Sequence, residues 1–265
     1  MQRIVVIGAG HMGAILIGGI RKNLADVALS VVEADQDHAD ALREWLGVDV
    51  RPDYSAAPGD LVILAIPPQA FEDFATGQGP RALTGVTVTS VMAGVSLATL
   101  REQLGTPAVV RAMPNVAAEV GQSMTVMCLG PEVPPRGAAL AEKAMACVGQ
   151  VLIVTDESLL DAATAISGGG PGIISYLADA FTDFAAMAGF SAEQALLMTC
   201  QVLRGTADLL ETRGGDPEQV YRQVMTPGGT TERGIRHLAG HDVHDALVDA
   251  LEQSALRAHA ISEGR

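Results

Sequence analysis

Three features of the sequence predict an N-terminal doubly wound α/β sheet followed by an all-α, oligomerising region. Up to Asp156, short apolar runs alternate with amphipathic stretches. Beyond Asp156 the strand signals stop, and the remaining segments carry i, i+3, i+4, i+7 apolar spacing. A G-x-G-x-x-G triplet, Gly8, Gly10 and Gly13, stands directly after the first apolar run. The composition shift places the boundary between residues 1–156 and 157–265.

In chain order, 3–9 reads as a short buried strand, followed by a helix over about 12–23. The run 27–34 is a second strand, and 37–47 a helix closed by Gly47. The continuous apolar run 60–68 ends on Pro67 and Pro68, as expected of a strand buried on both faces. Strand character continues at 85–96, 108–115 and 121–130, then a helix over 134–148 and a strand over 150–155 complete the first part. Helices follow at 157–166, 172–190, 191–214 and 244–263, the longer ones apolar on more than one face. A helical region with such faces needs a partner, which predicts a homo-oligomer, a dimer at least.

Composition narrows the class. The chain has 265 residues, 48% hydrophobic and 18% charged, with a formal net charge of −14. This is a folded protein whose acidity disfavours a nucleic-acid partner and an anionic membrane surface. Cys128, Cys147 and Cys200 are far apart and odd in number, so neither a disulfide framework nor a cysteine zinc site is indicated. The first apolar run is cut by Gly8 and Gly10, unlike a signal peptide, and no run has transmembrane length. The expectation is a cytoplasmic protein.

The glycine triplet opens a helix. Gly8 permits the tight turn, Gly10 admits a pyrophosphate to the backbone, and Gly13 allows close helix–strand packing. His11 and Met12 lie within the same loop, and His11 either touches phosphate or faces solvent. Glu33 ends the second strand, where a carboxylate accepts hydrogen bonds from an adenosine ribose. Asp35 and Asp37 add negative charge there, or are simply solvated acids. No Lys or Arg occurs between Lys22 and Arg43, so the cofactor choice tilts toward NADH over NADPH.

Other clusters say less. His237, His241 and His244 invite a metal reading, but Gly240 should break the helix between them, and a solvated junction is the better account. The glycines Gly168, Gly169, Gly170 and Gly172 around Pro171 fit close helix packing as well as ligand contact. The stretch 225–234, MTPGGTTERG, interrupts a helical region. Thr230 there is expected to cap a following helix, and bare N–H groups at a helix start form an anion site. Taken alone, this stretch fits an ordinary capped turn somewhat better than a binding site.

Taken together, IGAGHMG (7–13), SVMAGVS (90–96) with RAMPN (111–115), and SGGGPG (167–172) with PGGTTERG (227–234) resemble the pyrroline-5-carboxylate reductase family. The resemblance covers essentially the whole chain. It implies a Rossmann domain, a helical dimerisation domain, and reduction of the cyclic imine 1-pyrroline-5-carboxylate to L-proline with NADH or NADPH. Matched by position, Thr231 is the threonine that hydrogen-bonds the ring nitrogen, and Gly228, Gly229 and Thr230 form the turn that receives the substrate carboxylate. Glu157 matches an acidic residue at the domain junction. The implied cofactor positions are Gly8, Gly10, His11, Met12, Gly13, Glu33, Ala65, Ile66, Pro67, Pro68, Met92, Ala93 and Gly94. The sequence departs from the family at Pro67, where a lysine is usual, and at Gly169, Val116 and Met225. Two further readings stay open: a reductase of a related cyclic imine, and a catalytically silent nucleotide-binding relative.

Overall fold

The computed structural model describes residues 2–53, 57–77, 83–212 and 214–262. Its centre is an eight-stranded sheet: β1 (Gln2–Ile7), β2 (Val27–Val32), β3 (Asp49–Arg51), β4 (Leu61–Leu64), β5 (Thr87–Ser90), β6 (Val109–Met113), β7 (Ser123–Leu129) and β8 (Gly149–Val154). Their order is β3-β2-β1-β4-β5-β6-β7-β8. The pleat sends alternate residues to opposite faces, so β1 and β4, covered on both, read as continuous apolar runs. Ile4 and Val6 of β1, with Leu61 and Ile63 of β4, enter one buried cluster; Val5, Ile7, Val62 and Leu64 enter the other.

Helices cover both faces. On the first lie α1 (His11–Asn23), α2 (Gln36–Leu46) and α5 (Pro135–Ala146), which contribute Leu16, Ile17, Ile20, Leu42, Leu140 and Met145. On the second lie α3 (Phe71–Gly77) and α4 (Leu97–Leu104), which contribute Phe71, Ala75, Leu100 and Leu104. Local chemistry sets their ends. Asp35 caps α2 by accepting from the His38 N–H, Gly47 closes it at φ 55°, and Ser96 caps α4.

The sheet departs from the expected parallel arrangement at one place, where β7 runs antiparallel to β6. The connection from Pro114 to Gln122 holds only a short 3₁₀ turn, Val116–Val120. A parallel crossover needs a dozen or more residues, so this link can only reverse the chain. The strand β8 pairs parallel to β7 again, by way of α5.

After β8 come α6 (Leu159–Ala163), a π-helical turn (Thr164–Gly168), α7 (Gly170–Met187), α8 (Ala192–Thr212), α9 (Pro217–Val224), α10 (Thr230–Ala239) and α11 (Val243–Ser262). Chain contacts form two compact units. One holds the residues up to Pro171 together with those from Glu252 onward, and the other is Gly172–Leu251. No helix among the described residues is long and apolar enough to cross a membrane.

Candidate functional site

The glycine loop is built as its spacing requires, and its glycines have separate reasons to be there. Gly8 takes φ 88°, and a side chain on it would meet the Ala65 carbonyl oxygen and Ile66 Cγ2, each at 2.8 Å. A Cβ on Gly13 would lie 2.2 Å from the Gly8 carbonyl oxygen, so α1 sits directly on the turn. Gly10 is different: nothing lies within 4 Å of where its Cβ would be. It also caps α1 with no side-chain acceptor for the first-turn N–H groups. Open space above bare N–H groups at a helix start is the arrangement a pyrophosphate requires.

Glu33 is pinned against this loop. Its Oε2 accepts from the Ala9 N–H at 3.0 Å and its Oε1 from the Asp35 N–H at 3.1 Å, with His38 Nδ1 3.6 Å away. Of the neighbouring acids, Asp35 is a helix cap and Asp37 lies exposed in the first turn of α2. His11, also exposed, pairs with Glu119 at 2.9 Å. At the end of β4 the Ala65 N–H binds the Ile7 carbonyl, which sets Ala65 and Ile66 beside the glycine loop. Pro67 then starts the 3₁₀ turn Pro68–Ala70. After β5, buried Met92 donates its N–H to Ser90 Oγ, and Gly94 turns at φ 74°.

Around one buried arginine lies a part-buried ionic cluster that the sequence reading missed. Arg111, on β6, is only 6% exposed. Its guanidinium reaches Glu157 Oε1 at 3.1 Å and Asp161 Oδ1 at 3.7 Å. The same Glu157 oxygen accepts from the Leu97 N–H at 2.8 Å, at the start of α4. Glu157 therefore braces the end of the loop after β5. The clue in the sequence is the arginine inside the apolar run AVVRAM, since a charge there must find a partner. Cys128, beside Arg111 in the sheet register, has its thiol pushed up by burial and by Glu157, partly offset by Arg111.

In the second unit the Pro-Gly-Gly turn leads into α10. Gly229, not Thr230 as expected, is the capping residue, and Thr230 opens the helix. Gly228 takes φ 74° and donates its N–H to Glu232 Oε2, while Glu232 Oε1 pairs with Arg236 at 2.7 Å. The Gly229 N–H binds the Thr226 carbonyl, and a Cβ on Gly229 would lie 2.3 Å from Thr226 Oγ1. Both glycines are thus required by the turn, as a left-handed corner and as a close approach. The N–H groups of Thr230, Thr231 and Glu232 point out of the first turn with no backbone acceptor among the described residues. Half-buried Thr231 stands in that turn. Beside it runs an open groove of about 990 Å³, lined by Phe184, Gly228, Gly229, Glu232, Arg233 and His237 among others.

The histidine expectation needs one correction. His237 and His241 do share a face, with ring centroids 4.4 Å apart and His241 Nδ1 2.9 Å from the His237 carbonyl oxygen. The helix ends at Ala239, but Gly240 stays in the right-handed region and carries the turn onward. No group of three or more metal-ligating side chains occurs among the described residues. In the glycine-rich stretch, Asn115 Nδ2 donates to the Ser167 carbonyl and Gly169 N–H closes the π-helical turn onto Thr164.

Comparison with known proteins bears on these features. A family model described as pyrroline-5-carboxylate reductase dimerisation matches residues 157–261. A second, described as NADP oxidoreductase, coenzyme F420-dependent, matches residues 3–94. A pyrroline-5-carboxylate reductase of Pseudomonas aeruginosa is 31% identical over 98% of this chain and 97% of its own length. This chain belongs to the pyrroline-5-carboxylate reductase family. The pyrroline-5-carboxylate reductase of Methanosarcina acetivorans is 30% identical over 99% of this chain and 98% of its own. Among solved structures, a pyrroline-5-carboxylate reductase from Coxiella burnetii superposes with a TM-score of 0.86, 29% identity, and 98% coverage of both chains. A pyrroline carboxylate reductase from Plasmodium falciparum, solved with NADP bound, shares the fold at 20% identity and the same TM-score of 0.86, over 99% of this chain and 100% of its own.

Proposed function

We propose that this chain reduces the C=N bond of 1-pyrroline-5-carboxylate to L-proline, using a nicotinamide cofactor. The observation that carries the reading is the turn Pro227–Thr231, whose bare N–H groups and threonine hydroxyl match a carboxylate and a ring nitrogen held side by side. Family membership supports the same reaction.

Residues 1–156 form the dinucleotide-binding part and 157–265 the dimerisation and substrate part in this reading. The cofactor residues are Gly8, Gly10, His11, Met12, Gly13, Glu33, Ala65 to Pro68, and Met92 to Gly94. The open space over Gly10 fits a pyrophosphate. When bound, the cofactor supplies a hydride for the imine carbon. The fixed carboxylate of Glu33 suits a ribose hydroxyl and repels a 2′-phosphate, so NADH is the favoured cofactor.

The substrate carboxylate is received at the start of α10, where the N–H groups of Thr230, Thr231 and Glu232 and the positive end of the helix dipole favour an anion. Glu232 already occupies the Gly228 N–H, so Gly228 shapes the turn and the first-turn N–H groups do the binding. The Thr231 hydroxyl orients the ring nitrogen and stabilises its charge. A hydroxyl is a poor acid, so the proton on nitrogen comes from solvent or arrives with the substrate. Glu157 contributes by bracing the loop after β5. Exposed Tyr176, Phe181 and Met187 on α7, with Leu197 and Val202 on α8, supply the apolar surface for a homo-oligomer.

Steady-state oxidation of NADH and NADPH with racemic 1-pyrroline-5-carboxylate tests the reading. Rapid turnover, with the higher kcat/KM for NADH, is expected. Turnover only with a six-membered or substituted imine would move the substrate, and nucleotide binding without turnover on any imine would leave a silent relative.

A further inference from the structure

We propose that the last turn of α11 positions the loop after β5, with Ile261 and His259 as positioning residues for the cofactor. The inference rests on the reading that a nicotinamide cofactor binds at the carboxyl ends of the parallel strands, where open α/β sheets place their ligands.

The loop runs from Val91 to Ser96. Its start is fixed by the Val91 N–H on the Leu64 carbonyl and the Met92 N–H on Ser90 Oγ. Its end is fixed by the Leu97 N–H on Glu157. At its middle, Gly94 turns at φ 74°, and the three atoms nearest to where its Cβ would be all belong to Ile261. Ile261 Cγ2 lies 2.5 Å from that point and its backbone carbon and oxygen 3.3 Å. Only a glycine lets the helix end come this close.

Two residues before Ile261, His259 Nδ1 lies 2.9 Å from Asp161 Oδ2. The carboxylate can only accept, so Nδ1 carries the proton. Asp161 faces Arg111, Arg111 pairs with Glu157, and Glu157 holds the end of the loop. The contacts therefore close a circuit: loop end, Glu157, Arg111, Asp161, His259, Ile261, loop middle. A loop set in place before its ligand arrives loses less freedom on binding, so the circuit acts on cofactor affinity.

Calorimetric titration of the full chain with NADH and NADPH tests this, alongside KM for the imine. The expected result is that His259→Leu and Ile261→Ala each raise the cofactor Kd roughly 5-fold or more, with the imine KM held within about 2-fold. His259→Asn, whose amide can still donate to Asp161, restores the affinity, and Ile261→Val falls between wild type and Ile261→Ala. Unchanged Kd in both loss variants overturns the proposal, as does a His259→Asn defect equal to that of His259→Leu. Thermal melts separate misfolding from positioning, and Ile261→Val keeps the comparison available if Ile261→Ala unfolds. A wild-type chain that binds no nicotinamide cofactor removes both this role and the reading beneath it; binding that the variants leave intact removes this role alone.

Discussion

Thr231 stands half-buried in the first turn of α10, and in the proposed reaction its hydroxyl orients the ring nitrogen. Thr231→Ala should lower kcat/KM by about 10-fold, the scale of one lost polar contact to the transition state. Thr231→Ser should keep most of the activity, and equal rates for all three proteins would take the hydroxyl out of the mechanism. Cys147 makes a different kind of prediction. Burial pushes its thiol from 9.0 up to about 11, and its Sγ donates to the Lys143 carbonyl. The unfolded chain releases this proton from pH 9.0 upward, whereas the folded chain holds it to about 11. Fewer protons on the unfolded state mean that stability falls as pH rises through that window. Melting temperatures between pH 8 and pH 10 should therefore drop more in wild type than in Cys147→Ala; parallel curves would contradict this.

At the scale of elements, Gly10 and Gly13 separate folding from binding. Gly13→Ala would drive a methyl into the Gly8 carbonyl and should cost about 3 kcal/mol, read as a lower denaturant midpoint. Gly10→Ala fills open space, so it should leave that midpoint unchanged and weaken cofactor binding. If both variants melt alike, the distinction is wrong. These elements were legible in the sequence because their demands are local: a glycine at a fixed offset announces a turn wherever its neighbours lie. The same holds for the two-faced strands, whose apolar runs need no partner to be read. The Arg111 cluster was hidden for the opposite reason. Its partners Glu157, Asp161 and His259 come from α6 and its approach and from the far end of α11, and no spacing rule joins them to β6. The Thr230 cap failed on a narrower point. Threonine and glycine both suit the position, and the close approach of Gly229 to Thr226 decided between them. The reversal at β7 was missed because an antiparallel strand buried on both faces carries the same letters as a parallel one.

At the scale of the whole molecule, the helices leave large side chains uncovered, Phe184 at 71% and Met187 at 86% exposure among them. Sedimentation should therefore report a dimer or larger assembly at micromolar concentration, and Phe181→Glu with Leu197→Glu should shift it toward monomer. A wild-type monomer would contradict the assignment. The two ends of the sheet differ as well. At one end β3 is three residues long and carries the ion pair of Arg51 with Asp49, a short charged border that discourages further strands. At the other end β8 is twice as long, and Leu152 and Ile153 stand exposed at 51% and 39% with no lysine or proline among them. A lone chain thus has one guarded border and one that invites strand addition. The unpaired N–H and C=O groups along β8 are therefore where a folding chain is most open to edge-to-edge aggregation, whereas the charged stub of β3 offers little to pair with.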